Sequence, residues 1–249
     1  MSPIIIIPAR LAAARLPGKP LADIGGAPMI VRVMRCAEAA GVGPVMVAAG
    51  DREIVDVVTA AGGLAVLTDP ALPSGSDRIL AALMQADPDA RHDIVINLQG
   101  DMPFVSPNVI RACAAALANQ PSCDIATCVA REAGPADRVN PDVVKAVVSF
   151  HGDATSGRAL YFTRSALYGE GPVWRHIGIY GYRRAALERF TAAPPSTLEV
   201  REKLEQLRAL ELGLSIWASV VDAAPLSVDT PADLRAARDA AQTLETPRQ

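Results

Sequence analysis

Ile4, Ile5, Ile6 and Ile7 stand in an unbroken β-branched run with no polar alternation. Such a run suits a strand buried on both faces, as in a parallel sheet. A Pro- and Gly-rich stretch follows through Gly26, and apolar residues then recur at helical spacing over residues 28–40 until Gly41 ends the segment. The alternation continues with a strand over 45–48, a helix over 53–61, a strand over 64–67, a helix over 77–85, a strand over 94–98 and a helix over 107–117. Strands alternating with helices predict right-handed βαβ units in an α/β, Rossmann-like, mostly parallel doubly wound sheet. Past Cys123 the texture changes. Strand-like runs over 125–129, 143–149, 159–163 and 176–182 have fewer long helices between them, which predicts mixed or antiparallel strands in a small inserted lobe spanning about residues 123–182. A helix over 198–212, a strand over 215–221 and a helix from Pro231 onward complete the pattern. No clean linker divides the chain, so the expectation is one domain over residues 1–249 that carries the lobe.

Composition narrows the function classes. The 249 residues are 50% hydrophobic, enough for one large α/β domain or a domain with a small lobe. Charged residues make up 20% and the formal net charge is −3, so no broad basic field points to nucleic acid. Cys36, Cys113, Cys123 and Cys128 form no CxxC pair and no cysteine–histidine group, which argues against zinc or a disulfide framework and for a reducing cytoplasm. The isoleucine run is far too short for a membrane span or a signal segment, so no membrane partner is expected.

The loop after the first strand, Pro8 to Pro20, carries Arg10, Arg15 and Lys19, and no Asp or Glu precedes Asp23. It leaves the carboxyl end of a strand, where ligands sit in open α/β sheets. Forked arginine donors with a lysine point charge suit a triphosphate, and a solvated basic loop fits the same charges equally well. It is not a P-loop, because Ala13 replaces the first glycine and Pro20 the Ser/Thr, and no G-x-G-x-x-G fingerprint occurs here.

Two carboxylates fall at element ends. Asn97-Leu-Gln99-Gly100-Asp101 closes a buried strand with an acid, and Gly100 permits close backbone approach. Val228-Asp229-Thr230-Pro231 stands at the mouth of the last helix. A pair of hard oxygen donors, completed by substrate phosphates, suits Mg²⁺. Helix capping explains the second segment as well: Thr230, Pro231 and Asp233 make an N-cap, an N1 proline and an N3 acid, although a cap by Thr230 leaves Asp229 unused.

Taken in order, eight blocks form a pattern: Pro8-Ala-Arg10 with Arg15-Leu-Pro-Gly-Lys19-Pro-Leu21; Ser74-Gly75-Ser-Asp-Arg78; Asn97-Leu-Gln99-Gly-Asp101; Asn140-Pro-Asp-Val-Val-Lys145; Ala159-Leu-Tyr-Phe-Thr-Arg164; Arg175-His176-Ile-Gly-Ile-Tyr180-Gly-Tyr182; Leu204-Glu205-Gln206-Leu-Arg208; and Val228-Asp229-Thr-Pro231. Over nearly the whole chain this resembles the 3-deoxy-manno-octulosonate cytidylyltransferases, the CMP-Kdo synthetases. The resemblance implies a nucleotide-diphospho-sugar transferase type of fold and an enzyme that couples CTP and Kdo to CMP-Kdo and pyrophosphate for lipopolysaccharide synthesis. It also implies dependence on Mg²⁺ and a homodimer, with dimer contacts from the lobe.

The resemblance implies that Arg10, Arg15, Lys19, Ser74, Gly75, Arg78, Gln99 and Asp101 bind the nucleotide, that Asp101 and Asp229 hold the metal, and that Arg10, Lys19, Asp101 and Asp229 carry the catalysis. Gln99, Arg164, His176, Tyr180, Glu205 and Gln206 would take the sugar acid. Read by themselves, Arg164 fits a surface strand end, His176 and Tyr180 fit half-buried packing on one strand face, and Glu205 fits a pair with Arg208 across one helical turn. The chain departs from the family pattern at Ala13-Ala14, where relatives usually carry Ser-Thr. It departs again at Gly50, where they carry Asp (here Asp51 is one place on), at Ala71-Leu72 in place of Asp-His, and at Met102. Two alternatives follow: a paralogue acting on a related ulosonic acid such as 8-amino-Kdo, or a weakened or inactive homologue that binds nucleotide for regulation.

Overall fold

A computed structural model describes residues 1–12, 15–132, 134–152, 154–167 and 169–245. The chain runs β1 (Pro3–Ala9), a 3-10 turn (Lys19–Leu21), β2 (Asp23–Ile24), β3 (Ala27–Pro28), α1 (Met29–Ala40), β4 (Val45–Ala49), α2 (Arg52–Ala60) and β5 (Leu64–Leu67). It continues with α3 (Gly75–Ala86), β6 (Ile94–Asn97), α4 (Pro107–Asn119), β7 (Ile125–Arg131), α5 (Pro135–Val139), β8 (Lys145–Ser149) and β9 (Ser156–Thr163). The rest is β10 (Trp174–Arg183), α6 (Arg184–Ala192), α7 (Thr197–Glu202), α8 (Gln206–Glu211), β11 (Ile216–Val221) and α9 (Pro231–Glu245).

The contacts divide the chain into two compact units. The first comprises Ile4–Arg91, Asn97–Pro107 and the residues from Pro225 onward. Its strands β5, β4 and β1 are parallel neighbours, with Ile5 opposite Val45 and Met46 opposite Leu64. Ile4, Ile5, Ile6 and Ile7 are at most 5% exposed, as an unalternating run buried on both faces should be. The helix after β5 begins two residues earlier than the sequence suggests, at Gly75, because Ser74 caps it by accepting the Asp77 N–H. At the far end of the chain, Val228, Leu234, Ala237 and Ala241 pack into one cluster with Ile24 and Met29, against which Leu16 and Ala22 lie. Burial of that apolar stripe holds the start of α9 beside the loop that follows β1.

The second unit comprises Met1–Pro3, His92–Ile96 and Asn108–Ala224. Its strands run in the order β6-β10-β7-β11-β9-β8, and β8 also pairs with β10. Here β11 is parallel to β7, but β10 and β7, β11 and β9, and β8 and β9 are antiparallel. This is the mixed or antiparallel pairing expected past Cys123, and the expectation of a mostly parallel sheet holds only for the early strands. Only a short connection links Ser149 to Ser156, and a parallel return needs a crossover of about a dozen residues or more. The mixed α/β architecture is otherwise as expected.

The expected helix over 198–212 is a second correction. It is two helices, because Lys203 takes a left-handed conformation at φ 55° and breaks the run. Ser196 and Glu199 form a reciprocal capping box that starts α7. The β2–β3 hairpin, α5 and α6 were not signalled by the pattern. The hairpin turns on Gly25 and Gly26, both at positive φ, and its strands are too short to show a period. No described helix is long and apolar enough to cross a membrane.

Candidate functional site

A cleft of about 250 Å³ opens in the first unit at the carboxyl ends of its strands. Arg10, Lys19, Ser74, Gly75, Gln99 and Asp101 line it, all expected from the sequence, and Leu72 adds an apolar wall. Gly100 is needed for the approach, since a Cβ there would stand 3.0 Å from the Pro8 carbonyl oxygen and 3.4 Å from Ile30 Cδ1. Gly75 places the first turn of α3 against Pro8, leaving the N–H groups at the start of a 12-residue helix at the cleft.

One cation joins two acids here. Lys19 Nζ donates to Asp101 Oδ2 at 3.1 Å and to Asp229 Oδ1 at 3.2 Å, and Arg15 lies 3.3 Å from the same Asp229 oxygen. The Val228 N–H donates to the Asp101 carbonyl at 2.9 Å, which ties the two acidic segments together through the backbone. Helix capping and ligand binding at Asp229 are not rivals. Thr230 caps α9 by accepting the Asp233 N–H, and Asp233 Oδ2 accepts the N–H groups of Asp229 and Thr230. The Asp229 carboxylate is left to the cations. Burial pushes the Asp101 carboxyl above its ordinary range and Asp229 adds to that, while Lys19 pulls it down.

Two hard oxygen donors converging on one ammonium fit a divalent cation. The described residues hold no group of three or more His, Cys, Asp or Glu suited to a metal, so a cation here would complete its shell with phosphate oxygens and water.

Arg78 belongs to the lining of the cleft but is only 2% exposed. Its Nη1 donates to Thr68 Oγ1 at 2.7 Å and to the Asp69 carbonyl at 3.0 Å, and its Nη2 reaches the Pro70 carbonyl at 3.3 Å. It braces the loop before α3. Ser74 spends its hydroxyl on Asp77 at 2.6 Å, and Gln99 donates to Asn97 Oδ1 at 3.1 Å. Ala13 and Ala14 lie outside the described residues.

The other expected set, Arg164, His176, Tyr180, Glu205 and Gln206, lies in the second unit. A bulge between Ile177 and Tyr180 on β10 keeps the His176 and Tyr180 rings adjacent, with centroids 5.5 Å apart. His176 also meets Phe162 edge-on at 4.9 Å. Burial pushes the imidazole down to about 3, so it is neutral near pH 7. Thr127 Oγ1 lies 2.9 Å from His176 Nε2 and within 3.1 Å of the carbonyls of Ile177 and Ile179. Carbonyls only accept, so the single threonine proton goes to one of them and the imidazole donates from Nε2, which leaves Nδ1 as an acceptor.

Gln206 is 6% exposed, and its side-chain nitrogen has no hydrogen-bond partner among the described residues. Arg164 Nη1 donates to the Pro141 carbonyl at 3.0 Å. Beneath it lies a residue that the motif contained without a role: Lys145 is fully buried and donates to the carbonyls of Asn140, Val143 and Arg164 at 2.9, 2.9 and 2.6 Å. The expected Glu205–Arg208 pair is secondary at 3.7 Å, because Arg208 makes a forked bond to Glu199 at 2.6 and 2.8 Å. Asp51, Thr127 and Lys145 were missed as organising residues. Their partners lie 40, 52 and 19 residues away at the farthest, a separation that no local pattern reveals.

Comparison with known proteins follows the same lines. The cytidylyltransferase family model matches residues 4–216. The 3-deoxy-manno-octulosonate cytidylyltransferase of Parvibaculum lavamentivorans is 59% identical over 239 residues, which is 96% of this chain and 92% of that protein. Among solved structures, a CMP:2-keto-3-deoxy-manno-octonic acid synthetase complexed with CTP superposes with a TM-score of 0.90 at 36% identity, covering 98% of this chain and all of that one. The 4-diphosphocytidyl-2C-methyl-D-erythritol synthase of Anaerococcus prevotii shares the fold, with a TM-score of 0.65 at 13% identity over 97% of this chain and 98% of its own.

Proposed function

This chain belongs to the cytidylyltransferase family, and from that premise we propose that it is a nucleotidyltransferase joining CTP and Kdo to give CMP-Kdo and pyrophosphate. The observation that carries the reading is the pair of carboxylates, Asp101 and Asp229, converging on Lys19 in a cleft lined by basic and backbone N–H donors. Arg10, Arg15 and Lys19 bind the triphosphate, with the start of α3 at Ser74 and Gly75 supplying backbone N–H groups. Arg78 supports that wall from behind, and Gln99 contacts nucleotide and sugar. Arg164 takes the sugar carboxylate, and His176 Nδ1, Tyr180, Glu205 and Gln206 take its hydroxyls. The unsatisfied Gln206 amide supports this, since a buried donor without an acceptor costs about 1–3 kcal/mol and a ligand oxygen would relieve it.

The Kdo anomeric oxygen attacks the α-phosphorus in line, and the bond to pyrophosphate breaks. Positioning and charge neutralisation carry the step, with no covalent intermediate on the protein. Asp101 and Asp229 would hold Mg²⁺, which when bound lowers the pKa of the sugar hydroxyl and neutralises charge at the α-phosphate. Lys19, Arg10 and Arg15 neutralise the departing pyrophosphate.

We read the α/β architecture further as a Rossmann-like, doubly wound arrangement of the nucleotide-diphospho-sugar transferase type, and residues 1–249 as one catalytic domain. Residues 123–182 then serve as a lobe for sugar binding and homodimer contacts. The enzyme works in the cytoplasm, in lipopolysaccharide synthesis.

The test is pyrophosphate release with Mg²⁺, each of the four nucleoside triphosphates in turn, and Kdo, 8-amino-Kdo or sialic acid. Turnover selective for CTP and Kdo supports the reading, and preference for another ulosonic acid moves the substrate within the class. CTP binding without turnover on any sugar would overturn the enzyme assignment and favour a regulatory nucleotide binder, for which the apolar Leu72 at the cleft is the relevant departure.

A further inference from the structure

Asp51 stands at the N-cap of α2, where a carboxylate ordinarily accepts a bond from the first turn of its own helix. It makes no such bond. Its Oδ2 instead accepts the backbone N–H of Leu11 at 2.7 Å, across 40 residues. The neighbouring Gly50 N–H donates to the Ala9 carbonyl at 2.8 Å. Two consecutive residues at the end of β4 thus grip the chain on either side of Arg10, the first cation of the basic loop. Gly50 contributes a second way, by having no side chain. A Cβ there would come 2.8 Å from Arg78 Nη1 and 3.2 Å from Arg10 Cβ.

The choice of partner has an electrostatic logic. Arg15 and Lys19 face the cleft carboxylates Asp229 and Asp101, whereas Arg10 sits in the stretch that Gly50 and Asp51 grip through the backbone. An acid paired with Arg10 itself would neutralise that cation at the cleft. An acid bonded to a backbone amide fixes the loop and leaves the cations in place, and such charge-assisted bonds are the stronger kind.

We propose that Asp51 is a positioning residue for the nucleotide triphosphate, acting through the Leu11 amide to hold the loop that carries Arg10. This rests on the reading of the cleft as a CTP site. Two variants separate the role from mere helix stability. Asp51→Ala removes the acceptor, whereas Asp51→Asn keeps an acceptor oxygen and drops the charge. CTP dissociation constants come from calorimetry, KM for each substrate and kcat from pyrophosphate release, and fold integrity from thermal melts.

In Asp51→Ala the CTP dissociation constant and KM should rise roughly 10- to 100-fold, the range expected for losing a part-buried, charge-assisted hydrogen bond. The Kdo KM and the kcat at saturating CTP should stay within about threefold, and Asp51→Asn should bind CTP within about threefold of wild type. A CTP affinity unchanged in Asp51→Ala overturns the proposal, as does an Asp51→Asn variant as weak as Asp51→Ala. A lowered melting temperature with normal CTP binding also overturns it, because that is the signature of helix capping alone. Wild-type protein that binds CTP but turns over no sugar would sink the enzyme reading instead, and the calorimetric comparison would still decide the role of Asp51.

Discussion

Arg208 offers the sharpest test of how the second unit holds Glu205 and Gln206. The side chain is 8% exposed and its fork meets Glu199, itself 13% exposed, at 2.6 and 2.8 Å. Its Nη1 reaches the carbonyls of Ala193 and Phe190 at 3.3 and 3.4 Å, and its guanidinium carbon lies 4.6 Å from the Phe190 ring centroid. Glu199 in turn completes the capping box of α7 by accepting the Ser196 N–H at 2.9 Å. Arg208→Met preserves most of the volume but leaves a nearly buried carboxylate without its cation. Breaking such a pair from one side costs about 3–5 kcal/mol. For 249 residues the unfolding entropy is roughly 0.5 kcal/mol per kelvin, so the melting temperature should fall by about 6–10 °C.

The pH dependence has a definite sign. Burial pushes the Glu199 carboxyl up, but the hydrogen bonds from Arg208 and Ser196 and the guanidinium charge more than reverse this, leaving it below its ordinary 4.5. A depressed carboxyl contributes stability above its unfolded value and loses it as pH falls through the folded one. The gap between wild type and Arg208→Met should therefore narrow as pH drops below about 4.5. Calorimetry on the wild type, Arg208→Met, Glu199→Gln and the double variant measures both effects, and the double variant should be more stable than the sum of the two single losses implies. A drop of less than about 2 °C at pH 7, or a gap that widens in acid, would refute the argument.

Three further outcomes are expected. Asp101→Asn should lower kcat by at least about a thousandfold while changing the CTP dissociation constant by less than about tenfold; near-normal turnover would remove the carboxylate pair from the chemistry. His176 should show flat ring chemical shifts from pH 5 to 8 by NMR, since burial holds it at about 3. Its depressed value also makes the fold lose stability as pH falls from about 6.5 toward 3, and a ring titrating near 6.5 would contradict both statements. Gly50→Ala should raise the CTP KM by roughly tenfold, because Arg78 is fixed by three acceptors and cannot swing away from a new Cβ at 2.8 Å; unchanged KM would show that this wall yields.

The unalternating isoleucines, the helical period over residues 28–40 and the repeated strand-helix order were enough to determine the buried parallel strands and the α/β class. These are local patterns, and burial on both faces is written directly into composition. The candidate residues were legible too, because motif blocks keep their spacing whatever the tertiary context. Their partners were not. That Lys19 bridges Asp101 and Asp229, which is 210 residues away, depends on the apolar cluster that seats the start of α9, and no periodicity encodes that distance. In sequence Asp51 is only the acid one place after Gly50, and only the folded chain brings the Leu11 amide to it. The break at Lys203 was likewise decided by tertiary packing, where a positive φ overrides the helical pattern; the antiparallel strands past Cys123 were expected as a class, but their pairing order, with β8 against both β9 and β10, is a long-range outcome that no local pattern encodes.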